Sequence, residues 1–241
     1  MKNVRQNFRR WAILPGTVCL IAFALSSCAK KDINNVPPKA LAGFSVIDAC
    51  PDAPTLDLYI GGQQVNLSPI ALGNYFNYFN VYAGKSAVVF YQSGTTTLVA
   101  KDTVSLPANH VYTLFLANLK ANPDFILTTD SLAKPASGTI SVRLVNASPD
   151  AGAVDLVVKG ASNKIIQNAT YKTVSPFTAA TVTATDSLQV RQAGTTTVLA
   201  TVPASNLAGS AVYTVWLYGL ANTAVAAQKL KAGIMLNAMY Y

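Results

Sequence analysis

"CPDAPTLDLYIGG", Cys50–Gly62, and "SPDAGAVDLVVKG", Ser148–Gly160, are nearly the same thirteen residues written twice. The match extends outward from them. "VIDACPDAPTLDLYIGG" at Val46–Gly62 answers to "LVNASPDAGAVDLVVKG" at Leu144–Gly160, an offset of 98. Tyr78 answers to Phe177 at 99, "QSGTTTLVA" from Gln92 to "QAGTTTVLA" from Gln192 at 100, and "VYTLFLANL" from Val111 to "VYTVWLYGL" from Val212 at 101. An offset that grows one residue at a time fits small loop insertions between two copies of one domain, and the period is too long for a solenoid.

Each copy reads as strands. Leu56, Leu58 and Ile60 alternate with Thr55, Asp57 and Tyr59, and Val154, Leu156 and Val158 alternate likewise with Ala153, Asp155 and Val157, so one face of each segment looks inward. The Val111 and Val212 runs are apolar at nearly every position, which predicts central strands covered on both sides. Composition agrees: of 241 residues 51% are hydrophobic and only 12% charged, with no Glu to face long helices with charge. The expectation is an all-β fold of two tandem antiparallel β-sandwiches, Ig-like or transthyretin-like, of about seven short strands each. They span residues 42–130 and 139–241, joined by 131–138 within "KANPDFILTTDSLAKPASG".

The N-terminus is set apart. Lys2, Arg5, Arg9 and Arg10 precede an apolar run from Trp11 to Leu25, too short for a comfortable membrane span and built like a secretory leader. The run ends in "LSSC", Leu25–Cys28, which resembles the lipobox of bacterial lipoproteins. The resemblance implies a signal peptide over residues 1–27 and lipidation of Cys28 as the mature N-terminus. Residues 28–41 then form a polar, Pro-containing tether of roughly 20 Å as a flexible coil. Ala29 after the Cys is similar to outer-membrane cargo, implying an outer-membrane lipoprotein, periplasmic or surface-facing, that meets the membrane through its lipid.

In both copies the repeated words also resemble the bacterial domain-of-unknown-function family 4397. In the second copy "NASPDAGAVDL", "VSPF" from Val174 and "AGTTT" from Ala193 carry the likeness; in the first, "ACPDAPTLDL", "YAG" from Tyr82 and "SGTTT" from Ser93 do. Cys50 in place of Ser, and Ala184-Thr185 where Ala-Gly is usual, depart from the pattern. The resemblance implies an exported β-sandwich without an assigned chemistry.

The formal net charge of +8 falls to +4 without the four leader cations, and the remaining charge is dispersed, which argues against nucleic acid as a partner. Of three cysteines only Cys50 remains once Cys19 leaves and Cys28 is lipidated, so no disulfide is expected within the mature chain. The pairs Asp52 with Asp57 and Asp150 with Asp155 are the residues for acid–base or calcium chemistry. Their presence in both copies, after Pro51 and Pro149, favours turn-holding roles. One histidine, His110, makes no metal cluster, and no metal or cofactor is expected.

"GNYFNYFNVYAG", Gly73–Gly84, is peculiar to the first copy: Tyr75, Phe76, Phe79 and Tyr82 face Val174, Ser175, Thr178 and Thr181 in the second. With Tyr78 inward, alternation sends Tyr75 and Phe79 outward around Asn77, a platform suited to a sugar or a partner protein. "DTV" at Asp102 and "DSL" at Asp130 and Asp186 look like Asp-Ser/Thr-aliphatic O-glycosylation acceptors, with Thr103, Ser131 or Ser187 carrying the sugar. The function expected is non-catalytic binding, adhesion or assembly at the cell envelope. A glycan hydrolase working through an Asp pair, or a structural spacer, are the alternatives.

Overall fold

The computed structural model describes residues 39–183, 185–203 and 207–241. The expected leader over residues 1–27, the expected lipidation site Cys28 and the expected tether up to residue 38 lie outside them. Lys39–Tyr241 forms one compact unit, strands and bridges account for 53% of the described residues, and the described residues contain no α-helix.

The first half holds β1 (Leu41–Asp48), β2 (Leu56–Ile60), β3 (Gln63–Gln64), β4 (Tyr75–Tyr82), β5 (Gly84–Gln92), β6 (Leu98–Leu106), β7 (Val111–Ala117) and β8 (Asp124–Thr129). They form two sheets, ordered β4-β1-β7-β8 and β3-β2-β5-β6. The second half repeats the plan with β9 (Ile140–Asn146), β10 (Val154–Val158), β11 (Lys164–Ala169), β12 (Thr178–Ala180), β13 (Leu188–Gln192), β14 (Val198–Val202), β15 (Ala211–Tyr218) and β16 (Lys231–Met239). Their sheets are β12-β9-β15-β16 and β11-β10-β13-β14. The sandwich expectation holds, with eight strands in each half rather than seven. One detail is corrected: the sheets are not purely antiparallel. β1 runs parallel to β7, with Gly43 opposite Val111, and β9 runs parallel to β15. Strand β1 departs through a crossover into the other sheet, so the chain returns to β7 in the same direction.

Each sandwich has its own core. Phe44, Leu56, Leu58, Phe90, Leu114 and Leu116 fill the first; Leu144, Leu156, Val190, Tyr213, Val215 and Leu217 fill the second. The apolar runs of β7 and β15 are buried on both faces, as expected. On β7, Tyr112, Leu114 and Leu116 turn into the first core while Phe115 and Ala117 join a third cluster with Ile47, Val145, Trp216, Tyr218 and Met235. That cluster lies between sheets β4-β1-β7-β8 and β12-β9-β15-β16, so the sandwiches pack face to face. The contact is close to two-fold. The equivalent residues Phe115 and Trp216 meet each other edge-on at 6.3 Å. Ser45 Oγ donates to Met235 Sδ, and Arg143, which stands where Ser45 does, donates to Thr128, which stands where Met235 does. Gly233 makes room for Trp216, since a Cβ there would overlap the indole.

A polar seam runs through the same interface. Arg143 and Asp130, both almost fully buried, pair at 2.6 Å. Arg143 Nε also donates to Thr214 Oγ1 at 2.9 Å, its guanidinium lies 4.6 Å from the centre of the Phe177 ring, and Thr113 Oγ1 and the Tyr78 hydroxyl donate to Asp130. Burial first, then the Asp130 charge, pushes the Tyr78 hydroxyl's pKa up. The phenol is thus a fixed donor.

Candidate functional site

The edge of the first sandwich, where β3 and β4 end the two sheets, is the site the aromatic segment builds. Gly61 and Gly62 turn β2 into β3 with φ of 57° and 86°, values open to glycine at little cost in a two-residue hairpin. The following loop is pinned by the buried Asn66, whose Oδ1 accepts from Leu58 N at 2.7 Å while Nδ2 donates to the Leu56 and Ser68 carbonyls. Leu56 and Ile70 then exchange both backbone bonds. Between this wall and β4 lies a groove of about 460 Å³. Ile60, Val65, Phe79, Val81 and Leu41 give it apolar surface; Gln63, Asn80 and Ser86 supply polar groups, and Tyr82 stands at the rim. Tyr82 is 62% exposed, and the Lys39 ammonium sits 4.6 Å from its ring centre. A smaller hollow of about 330 Å³, sharing Val65, continues along β4 past Tyr75 and Phe76.

Strand alternation alone places these side chains incorrectly. A bulge between Phe76 and Phe79 shifts the register of β4 on β1, so two residues occupy the space of one. Phe79 therefore turns inward, 5.9 Å from Phe44 and 5.0 Å from Phe76, and only part of it reaches the groove. Tyr75 packs edge-on against Trp216 at 6.2 Å, while Asn77 is exposed. The expectation of Tyr75 and Phe79 flanking Asn77 on one outward face is thus corrected. The groove-lining Tyr82, Gln63 and Asn80 were missed. Tyr82 stood among the aromatics peculiar to the first copy, but Gln63 and Asn80 carried no signal without the pairing of sheet edges.

In the second sandwich the equivalent hollow, about 310 Å³, is lined by Ala161, Ala179, Ala180 and Thr181 beside Val158, Asn163, Lys164 and Ile165, with no aromatic ring.

The aspartates hold backbone. Asp57 Oδ2 accepts from Gly94 N at 2.9 Å and Asp155 Oδ2 from Gly194 N at 3.0 Å, each bracing the Gly-Thr-Thr-Thr turn of its own copy. Asp52 accepts from Lys120 N at 2.7 Å, and Asp150 from Ala221 N and Asn222 N. Burial opposes the Asp155 charge, but Lys164 at 2.6 Å and two backbone amides outweigh it and hold the carboxyl below its ordinary pKa. Cys50 is fully buried, and burial, then the Asp48 and Asp52 charges, push its thiol's pKa up, the reverse of what a nucleophile requires. His110 lies beside Gly43, at the other end of β1 from Cys50, roughly 20 Å away along the strand. Among the described residues no cluster of three His, Cys, Asp or Glu could hold a metal.

Of the glycosylation candidates, Thr103 is exposed on β6, Ser187 is half-buried, and Ser131 is exposed while its neighbour Asp130 is sealed against Arg143.

Residues 42–157, the first sandwich and the opening strands of the second, match the model of the family described as "Domain of unknown function (DUF4397)". The chain resembles that family. A search of curated proteins gave no match. Among solved structures, an α-glucan-binding streptococcal virulence factor aligns at 10% identity, TM-score 0.25, over 74% of this chain and 92% of that one. Family 41 carbohydrate-binding modules from streptococcal virulence factors align at 10% identity, TM-score 0.24, over 80% and 96%. A family 26 module from Eubacterium rectale, solved with maltoheptaose, aligns at 9% identity, TM-score 0.24, over 78% and 100%.

Proposed function

We propose that the chain is a non-catalytic binding protein of the bacterial cell envelope, carried on the outer membrane by lipid at Cys28, and that it takes a glycan in the β3/β4 groove. One observation carries the reading: the two sandwiches share a plan, yet only the first has aromatic rings at this hollow, and its Gln63, Asn80 and Tyr82 stand where the second has Ala161, Ala179 and Thr181. The apolar face of a sugar ring packs on an aromatic side chain while amides meet its hydroxyls. Tyr82, Gln63 and Asn80 supply those groups. Against the hydrolase alternative, Asp52, Asp57, Asp150 and Asp155 each accept backbone amide bonds, the role of turn-holding carboxylates.

Calorimetric titration of the lipid-free chain with a panel of soluble glycans tests the reading. Tyr82→Ala should weaken binding at least about tenfold, the loss of roughly 1.4 kcal/mol, with no change in melting temperature, and Gln63→Ala should weaken it less. Equal binding by wild type and Tyr82→Ala, or no glycan bound at all, would exclude this groove. Palmitate labelling that disappears in Cys28→Ser tests the anchor.

A further inference from the structure

Edge strands of soluble sheets are normally blunted by short length, by charge or by proline, because their outward N–H and C=O groups template pairing with another chain. The two sandwiches treat the same edge differently. In the second, β12 is three residues long and follows Pro176. In the first, β4 is eight residues, "YFNYFNVY", with no charge, proline or glycine, a composition suited to strand-on-strand association. It pairs with β1 alone. No other backbone-to-backbone bond reaches Tyr75–Tyr82 among the described residues.

Apolar surface concentrates at this edge. Leu41 at 42%, Leu67 at 103%, Tyr75 at 37% and Tyr82 at 62% exposure are four of the ten large apolar side chains left in solvent among the described residues, and all four border β4 or its hollows. Such a patch marks an interaction surface.

We propose that two copies of the chain pair through this edge, β4 against β4 in antiparallel register, about a two-fold axis between Tyr78 and Phe79. A second copy is favoured over a foreign strand by the sequence of β4 itself. In that register Tyr75 faces Tyr82, Phe76 faces Val81 and Asn77 faces Asn80, so aromatic and apolar residues meet their own kind and amides meet amides, with no charge to oppose. The bulge between Phe76 and Phe79 falls at the centre, leaving regular strand at both ends to pair. Leu67 of each copy is an apolar side chain available to a hollow of the other. The two-fold makes the interface closed, so association stops at a dimer. Because the glycan groove borders the same strand, ligand and partner compete for it, but the pairing does not depend on glycan binding.

Sedimentation velocity of Lys39–Tyr241, the compact unit that carries both cores, tests this from about 1 to 200 µM. The wild type should pass from monomer to dimer. Asn77→Lys with Asn80→Lys sets like charges opposite one another twice and should raise the dissociation constant at least about tenfold at unchanged melting temperature. Mixed with the Asn77→Asp, Asn80→Asp variant, it should form a one-to-one dimer. Wild type monomeric at 200 µM, undiminished dimerisation of the lysine variant, or two folded variants that fail to pair with each other would each overturn the proposal. Glycan titration of the Asn77→Lys single variant, which leaves the groove-lining Tyr82, Gln63 and Asn80 intact, separates this result from the fate of the groove.

Discussion

The two sandwiches are one design carried out twice, and they differ where a charge is buried. At the end of β1 the first has Asp48; at the end of β9 the second has Asn146. Asn146 is fully satisfied: Oδ1 accepts from Ser148 N, and Nδ2 donates to the carbonyls of Gly152 and Ala169. Asp48 accepts from Cys50 N at 3.0 Å, and its second oxygen is buried without a partner. At mid-strand the positions reverse: the first sandwich has Ser45 and the second Arg143, committed to Asp130. What stays constant between the copies is the turn chemistry that folds them, such as Asp57 and Asp155 on their glycine amides. What diverges lies at the contact between them and at the β3/β4 edge.

The hardest test replaces Arg143 with Ser, the residue of the other copy. Asp130 is then a carboxylate 6% exposed with its cation removed, and losing one partner of a buried pair costs about 3–5 kcal/mol. Urea unfolding should show that loss. Arg143→Met with Asp130→Leu should recover most of it. A loss under about 1 kcal/mol in the single variant would mean the pair is not buried as described.

Second in size is Asp48→Asn, which gives the first sandwich the residue of the second. Burial above all, then the nearby Asp52 charge, raises the Asp48 carboxyl to about 7, against the help of the Cys50 amide; Cys50 and Tyr218 are the other titratable groups beside it. A raised carboxyl means that the folded state holds a proton that the unfolded chain has released. Stability should therefore fall as pH rises from about 4 to about 7, then level off. The displacement from 3.8 to about 7 corresponds to roughly 4 kcal/mol. The Asn variant should lose this slope and exceed the wild type by up to that amount at pH 8, while Asn146→Asp should acquire the slope. Parallel pH profiles for wild type and Asp48→Asn would remove the assignment.

The sandwiches were legible in the sequence because they rest on local rules. Alternation at Leu56–Ile60 and unbroken apolar character at Val111 and Val212 lie within reach of a one-dimensional pattern, whereas the Asp57 bond to Gly94 joins residues 37 apart and was not legible. The face-to-face packing was not legible, since Arg143 in "ISVRLVN" has no outward mark of its partner Asp130. Nor was the edge groove. A bulge reverses the facing of every residue beyond it, so Phe79 could be placed only once its pairing with Phe44 was known. The third test follows from this. Phe79→Thr, the residue of the second copy, should cost about 2–3 kcal/mol because its ring packs on Phe44 and Phe76. A cost near zero would return Phe79 to the surface.

The smallest effect is expected at Lys172, where the comparison is sharpest in backbone. Lys172 occupies the place of Gly73 and shares its left-handed conformation, with φ of 66° against 80°, a geometry that costs a side-chain-bearing residue about 1 kcal/mol. At Gly73 the Tyr218 ring fills the space a Cβ would need. Lys172 instead reaches Asp124 at 2.5 Å, beside the Tyr171 hydroxyl at 2.7 Å. Burial opposes the Asp124 charge, but Lys172, Tyr171 and Asn118 together hold its carboxyl below the ordinary value. Stability from this group is therefore present above about pH 4 and lost as the medium becomes more acid. With half of the lysine side chain exposed, the pair contributes under about 1 kcal/mol. Lys172→Gly removes that and relieves a comparable strain, so its stability at pH 7 should stay within about 0.5 kcal/mol of wild type. Lys172→Met keeps the strain, loses the pair, and should be the weaker of the two. Both should lose part of the acid dependence between pH 4 and 2. A glycine variant less stable than the methionine variant would show that the left-handed turn carries no strain and that the resemblance of the two loops ends at their shape.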